Sequence, residues 1–259
     1  MSRPPLPGRL ARGPVLGADG CKRGAWVSVE LSLDRGRPTG MTGRVAPDVE
    51  TLLEGTAARV VALDVPIGLP DAPERGGRAA ERAARARLGA RASTVFSTPC
   101  RPAVALAAEL GFAAEAYRPV CDLNAAASEG GSRLSKQAFF LLPRIHAVDA
   151  RLRRSRPDRE RVLETHPELA FLNLADGAPL PPKKTAEGRR ARIELLATVG
   201  LDPAPVLGLD ADPRVAPDDV LDAVACAWVA ARRARGEAKR LPEGPLPRDG
   251  AGLPMALWF

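Results

Sequence analysis

Aromatic side chains are scarce in this chain, where Phe, Trp and Tyr together make up 4% of 259 residues. They are not interleaved with basic residues, which argues against a stacking platform for single-stranded nucleic acid. Lysine is also rare, so arginine carries most of the positive charge. The net charge of +7 suits a polyanionic partner such as nucleic acid, but a general excess of Arg, Ala, Pro and Gly explains the charge equally well.

Several sequence features that would indicate other classes of protein are missing. The four cysteines are scattered, without a CxxC pair or a histidine at zinc-ligand spacing, so neither a disulfide framework nor a structural zinc site is indicated. No run approaches the roughly 18 to 20 consecutive apolar residues of a membrane span, and the N-terminus lacks the apolar centre of a signal peptide. We therefore expect a soluble, cytoplasmic protein without a membrane partner. The sequence does not indicate an oligomeric state.

Common phosphate-binding and nucleophile motifs are absent as well. The sequence contains no GxxxxGKS or GxxxxGKT loop, no GxGxxG loop and no GxSxG turn. Nucleoside triphosphate hydrolysis, dinucleotide binding and serine hydrolase chemistry therefore have no local support.

The chain begins with a Pro-, Gly- and Arg-rich segment at 1–13, which predicts a flexible tail ahead of a single domain at 14–259. Residues 14–19 end in a Gly turn and residues 25–33 alternate apolar with polar side chains, so together they predict an antiparallel hairpin. A third strand is predicted near 41–45, and a short helix capped by Asp48 follows it.

Residues 59–65 (RVVALDV) form the most apolar strand pattern in the sequence, as expected for a strand covered on both faces. The long segment at 71–158 is dominated by helical patterns and predicts a large helical insertion after the fourth strand. Further elements are predicted beyond the insertion: a short strand at 161–164, a basic helix at 184–199, a helix at 216–236 and an apolar C-terminal edge segment.

Acidic residues occupy the ends of these predicted elements. Asp19 ends the first strand, Asp64 ends the apolar strand, and Asp219 and Asp222 lie near the start of the last helix. Carboxylates gathered at one point repel one another unless hard cations such as Mg²⁺ or Mn²⁺ bind them. Two such cations would activate water and stabilise the leaving oxygen in phosphodiester hydrolysis.

Each acid also has a simpler interpretation. Asp19 lies in a GADG sequence that is typical of turns, and Asp219 suits the positive end of the helix dipole. Asp222 lies one turn deeper and borders the apolar stripe, where the dipole explanation weakens. Asp64 closes an otherwise apolar strand, and an ionised carboxylate there needs a partner or a metal.

Several longer motifs carry a resemblance to a known family. They are GADGCKRGAW, ALDVPIGLP, STVFSTPCRPA, LSKQAFFLLPRI, ETHPELAF, KKTAEGRRAR and PDDVLDAVACAWVA, and they extend over nearly the whole chain from about residue 14. In these motifs the chain resembles the bacterial and archaeal predicted RNase H-like nucleases, formerly described as a domain of unknown function.

The resemblance implies an α/β RNase H-like fold, with a mixed five-stranded sheet flanked by helices and the insertion at 71–158. Holliday-junction resolvases have a similar arrangement, with one acid on the first strand, one after the fourth strand and a D-x-x-D pair on the last helix. In this chain the corresponding residues are Asp19, Asp64, Asp219 and Asp222. The resemblance implies that these residues are catalytic and bind the metal. Resolvase-like enzymes usually carry glutamate where this chain has Asp64, and the insertion has no counterpart in the minimal fold.

Two further groups of residues are candidates. Glu164 follows the predicted fifth strand and is an additional candidate for the catalytic site, while the nearby His166 could transfer protons or simply form hydrogen bonds in the core. A basic run could contact phosphates, although such a run is more often a solvated helix face. This run comprises Lys183, Lys184, Arg189, Arg190 and Arg192.

The resulting expectation is a metal-dependent nuclease that hydrolyses phosphodiester bonds in DNA or RNA with bound Mg²⁺ or Mn²⁺ and no protein nucleophile. Two alternatives remain beside it. One is a nucleic-acid-binding protein of the same fold that does not cut, and the other is a metal-dependent enzyme for a small phosphorylated molecule.

Overall fold

The computed structural model describes residues 12–127 and 133–259. Most of the predicted N-terminal tail, residues 1–11, lies outside this range. The chain divides into two compact units. The first unit contains Met1–Asp64, Arg161–Lys239 and Trp258–Phe259, and the second contains Val65–Glu160 and Arg240–Leu257. The predicted insertion at 71–158 falls within the second unit, and the single domain at 14–259 stays a prediction.

Three antiparallel strands open the first unit, β1 (Gly13–Gly20), β2 (Trp26–Asp34) and β3 (Arg37–Ala46). Arg35 and Gly36 form the two-residue turn between β2 and β3, with φ angles of 48° and 82°. Turns with two positive φ angles match the twist of a hairpin. The predicted hairpin and third strand are confirmed.

Two parallel strands extend the sheet beyond β1, and a short helix precedes them. Helix α1 (Val49–Glu54) begins after Asp48, whose Oδ1 accepts a hydrogen bond from the N–H of Thr51 at 2.8 Å. Strand β4 (Val61–Leu63) pairs in parallel with β1 and with β5 (Val162–Thr165). Because β4 is fully buried, the uninterrupted apolar pattern predicted this strand correctly.

Among the described residues the sheet has seven strands, in the order β3-β2-β1-β4-β5-β7-β6, so the prediction of five strands was wrong. The two additional strands, β6 (Arg240–Leu241) and β7 (Leu257–Trp258), contain two residues each. Strands this short show no alternating pattern in the sequence, and Pro and Gly surround them. The predicted C-terminal segment contains β7, but the prediction that it forms an edge was wrong, because β7 lies between β5 and β6.

The second unit is mainly helical. Its helices are α2 (Ala79–Leu88), α3 (Arg101–Glu109), α4 (Tyr117–Ala126), α5 (Lys136–Phe140), α6 (Leu142–Arg154) and α7 (Arg156–Arg161), which ends at the unit boundary. A partly buried ion pair joins Arg101 to Asp149 at 2.7 Å, and Arg101 also contacts Asp249 at 2.5 Å. Because Asp249 also accepts backbone N–H groups from Leu69 and Leu253, these charges hold distant segments of the unit together.

The described part of the first unit also contains the α-helices α8 (Pro167–Leu174), α9 (Ala186–Thr198) and α10 (Pro217–Arg235). Residues 220–231 of α10 are all buried, so this helix is covered on all sides. It ends at Gly236, which has the left-handed φ of 79° that favours glycine after a helix. Within residues 12–127 and 133–259, no helix combines the length and apolarity that crossing a membrane requires.

Candidate active site

The candidate site forms where α10 crosses β1 at unusually short range. A Cβ atom on Gly17 would overlap the backbone of Ala223, Cys226 and Ala227 in α10. Side chains alternate along a strand, so Asp19 lies on the same face of β1 as Gly17. Glycine at position 17 therefore lets the helix approach until Asp222 and Asp19 interact.

Asp64 reaches the same region from the strand beside β1. Leu63 of β4 pairs with Ala18, and the N–H of Asp64 donates a hydrogen bond to the carbonyl of Ala18 at 3.0 Å. This bond continues the parallel pairing by one residue and fixes Asp64 next to Asp19. Three acids from distant parts of the sequence therefore meet at one edge of the sheet. We call Asp19, Asp64 and Asp222 the carboxylate cluster.

Burial and mutual repulsion make the cluster electrostatically unfavourable when all three acids are ionised. Burial raises the pKa of Asp19 well above its usual value, and the charges of Asp64 and Asp222 raise it further. Burial also raises the pKa of Asp222 to about 6, although the neighbouring Lys183 opposes this shift. The charge of Asp64 therefore contributes to the raised pKa values of both Asp19 and Asp222.

Lys183 supplies a positive charge to this cluster. Its Nζ lies 2.5 Å from Oδ2 of Asp222 and 3.4 Å from Oδ2 of Asp218, one turn earlier on α10. Burial acts to lower the Lys183 pKa, but the charges of Asp222 and Asp19 outweigh it and raise this pKa above its usual value. The ammonium therefore stays protonated. The Lys183 side chain is still 31% exposed, whereas that of Asp222 is 2% exposed.

A buried ion pair holds the loop that carries Lys183. Arg192 of α9 bonds Glu168 of α8 at 2.8 Å and also donates to the carbonyl of Pro181 at 3.0 Å. Gly188 lies so close to this loop that a Cβ there would overlap the carbonyl of Pro182. The backbone beside Lys183 is consequently fixed by α9, while its long side chain extends from the loop to Asp222.

The other predicted site residues have different environments. Oδ2 of Asp219 accepts the N–H of Ala216 at 2.9 Å, so this side chain caps its own helix while its charge still acts on Asp19. Glu164 is buried on β5, paired with Leu63, the residue before Asp64. Arg192 is fully buried, so neither interpretation of the basic run, a phosphate contact or a solvated helix face, applies to this residue.

The donor set of the cluster suits a hard divalent cation only in part. Oδ1 of Asp222 is buried and has no hydrogen-bond partner among the described residues. A buried carboxylate oxygen without a donor is costly, and a cation would satisfy it. However, no three Asp, Glu, His or Cys side chains in residues 12–127 and 133–259 are close enough together to form a ready metal centre. The metal site at Asp19, Asp64, Asp219 and Asp222 stays a prediction.

Two features of the site environment were not predicted from sequence. Lys183 was a candidate for phosphate contact within a basic run that is more often a solvated face, so its ion pair with Asp222 was not expected, and Asp218 was not singled out as a site residue. The sequence carries no signal that separates Lys183 from Lys184, because both lie between Pro182 and Thr185, whose Oγ1 caps α9 by accepting the N–H of Gly188 at 3.0 Å, and Lys184 is exposed.

Comparison with known proteins gives one family match. A family model described as a protein of unknown function (DUF429) matches residues 17–246, a span that contains the whole carboxylate cluster and Lys183. No curated protein and no solved structure matches the chain. The RNase H-like fold and the nuclease activity implied by the sequence motifs stay predictions.

Proposed function

We propose that this chain, which belongs to the DUF429 family of proteins of unknown function, hydrolyses phosphodiester bonds in nucleic acid with the help of a divalent cation. The observation that carries the proposal is the convergence of Asp19, Asp64 and Asp222. Three elements far apart in sequence bring these acids together, at a cost that burial makes large. Such a cost is typical of functional sites, since stability alone would favour neutral residues there.

In this proposal the acids of the cluster bind the cation and Lys183 binds the substrate. Oδ1 of Asp222, which has no hydrogen-bond partner in the described chain, and the carboxylates of Asp19 and Asp64 would hold Mg²⁺ or Mn²⁺. When bound, the cation would supply an activated water and charge for the leaving oxygen. Lys183, which is partly exposed, would contact a phosphate oxygen of the substrate.

Covalent catalysis by the one cysteine of α10 does not fit this site. Burial raises the pKa of Cys226 well above its usual value, and the charges of Asp64 and Asp19 raise it further. The thiol therefore stays protonated near neutral pH, where a nucleophilic cysteine needs to be a thiolate. Water is the nucleophile that the proposal requires.

A second candidate is a protein that binds nucleic acid without cutting it. The observation that favours it is the 2.5 Å ion pair between Lys183 and Asp222, because an internal ammonium already provides the cluster with a cation. Such a protein would bind DNA or RNA with a steep dependence on salt and would not be stabilised by divalent cations.

The proposal is tested by calorimetric titration of MnCl₂ and MgCl₂ into the wild type, Asp64→Asn and Asp222→Asn. The exposed Asp210→Asn is the matched control, since it makes the same chemical change outside the cluster. Each cluster variant should weaken cation binding at least about tenfold, and the control should bind like the wild type. In parallel, single-stranded, duplex, hybrid and branched DNA and RNA are incubated with each protein and a cation.

The outcomes separate the candidates. Cation binding that both cluster variants lose, together with cation-dependent cleavage, supports the nuclease. Cation binding without cleavage of any polynucleotide contradicts it and favours a small phosphorylated substrate. A wild type that binds nucleic acid but no divalent cation supports the non-catalytic candidate instead.

A further inference from the structure

We propose that Lys183 and the divalent cation compete for Asp222, so that the ammonium occupies this carboxylate in the cation-free protein and leaves it when the cation binds. The inference rests on the proposed function, because it assumes that the cluster binds a divalent cation. It adds a regulatory role for a residue of this chain that the proposed chemistry alone does not require.

The inference starts from the two carboxylate oxygens of Asp222, which have different environments. One of its oxygens, Oδ2, lies 2.5 Å from the Lys183 ammonium, and the other, Oδ1, has no partner among the residues described. A cation on Oδ1 would therefore come within a few ångströms of a positive charge. The carboxylate is almost completely buried, so water screens this repulsion poorly. This repulsion therefore opposes simultaneous occupation of Asp222 by both cations.

The surroundings of Lys183 provide a place for the displaced ammonium. Asp218 lies 3.4 Å from Nζ and is more accessible than Asp222, with 13% of its side chain exposed. Lysine carries its charge on a flexible four-carbon chain, so Nζ can move towards Asp218 and solvent while the backbone stays in place. The buried pair of Arg192 and Glu168 keeps that backbone fixed.

The competition would couple the cation to an anionic substrate. Once displaced from Asp222, the ammonium is available to a phosphate group at the rim of the site. A phosphate that binds Lys183 would in turn remove the competitor and strengthen cation binding, since such coupling is reciprocal. The arrangement would limit cation binding in the absence of substrate.

The first test is MnCl₂ titration without nucleic acid on the wild type, Lys183→Met and Lys183→Arg. Lys184→Met is the matched control, because Lys184 is the adjacent residue and is exposed. Removing the competitor in Lys183→Met should strengthen Mn²⁺ binding at least about tenfold. Lys183→Arg keeps the positive charge and should bind Mn²⁺ like the wild type, as should the control.

Thermal unfolding distinguishes competition from a purely structural ion pair. Without Mn²⁺, Lys183→Met should melt below the wild type, because the cluster loses its positive neighbour. Mn²⁺ should then raise its Tm by more than it raises that of the wild type. A structural role alone predicts a lower Tm that Mn²⁺ does not restore.

A second measurement needs no variant. The wild type is treated briefly with acetic anhydride with and without MgCl₂, and the acetylation of each lysine is read by peptide mass spectrometry. Mg²⁺ should increase the acetylation rate of Lys183 several-fold by releasing its ammonium from Asp222. Lys184, on the same peptide, should react equally fast in both conditions.

Unchanged or weaker Mn²⁺ binding by Lys183→Met, or equal Lys183 acetylation with and without Mg²⁺, overturns the inference. The proposed function survives that result if the wild type binds Mn²⁺. Failure of the wild type and of Lys183→Met to bind Mn²⁺ overturns both.

Discussion

Replacing Asp222 with asparagine should change how the stability of the cation-free protein depends on pH. Asp222 is 1% exposed, and its burial raises its pKa from the usual 3.8 to about 6, even though Lys183 opposes the shift. The folded protein therefore holds the proton of this carboxyl more tightly than the unfolded chain does. Asparagine has nearly the same shape but does not titrate.

The sign and size of the effect follow from this difference in proton affinity. Asp222 makes its full favourable contribution below about pH 4, where both the folded and the unfolded protein carry the proton. The contribution is lost as the pH rises from about 4 to about 6, because ionisation is easier in the unfolded chain. A shift of about 2 pKa units at about 1.4 kcal/mol each corresponds to roughly 3 kcal/mol.

Urea unfolding at pH 4 to 8 in the presence of a chelator measures this effect. The free energy of unfolding of the wild type should fall by roughly 3 kcal/mol relative to that of Asp222→Asn across the window, and then stay level. The exposed Asp210→Asn should keep a nearly constant difference from the wild type. A wild type that instead gains stability relative to Asp222→Asn as pH rises would refute the reasoning. It would mean that the pair with Lys183 outweighs burial.

Two further predictions concern the framework of the site. Gly17→Ala should destabilise the protein by about 3 kcal/mol or more in denaturant unfolding, because its Cβ overlaps the α10 backbone. The control is Gly40→Ala, because a Cβ at this position would meet only Ser32 atoms at 4.0 Å. Its free energy of unfolding should stay within about 1 kcal/mol of that of the wild type. Arg192→Met should cost about 3 to 5 kcal/mol in the same assay, since it leaves Glu168 buried without its cation. The exposed Arg190→Met should cost less than about 0.5 kcal/mol, and an equal loss in the two arginine variants would contradict the role of the buried pair.

In the first unit, elements were predictable from sequence where a single physical requirement, such as burial on one or both faces, determines the order of apolar and polar residues. Residues 61–63 are covered on both faces, so they show an uninterrupted apolar run, and the alternation at 25–33 reflects a strand within a hairpin. Asp48 was recognisable as a helix cap because a carboxylate there satisfies a backbone N–H of the first turn. Strands β6 and β7 were not predictable as strands, because two residues cannot show alternation and backbone pairing alone defines them.

The carboxylate cluster was predictable for a different reason. Asp19 lies near the end of β1 and Asp64 directly follows β4, and these strands run parallel and adjacent, so both acids lie at one edge of the sheet. The contact with Asp222 depends on Gly17, and a single glycine in a strand does not reveal which backbone approaches it. Sequence therefore indicated which acids could meet, while the close approach of α10 that unites them appears only in three dimensions.

Lys183 and Arg192 show why a charge run is a poor guide to function. Both belong to one basic stretch, yet Arg192 is fully buried against Glu168 and Lys183 reaches Asp222, while Arg190 between them in sequence is exposed. Helical spacing separates Arg192 from its neighbours, because it lies four residues from Gly188 and from Leu196 on the buried face of α9. A cation at such a position must have a buried acid as its partner. Identifying that acid as Glu168 requires the packing of α8 on α9, and the same packing places Lys183 beside the cluster.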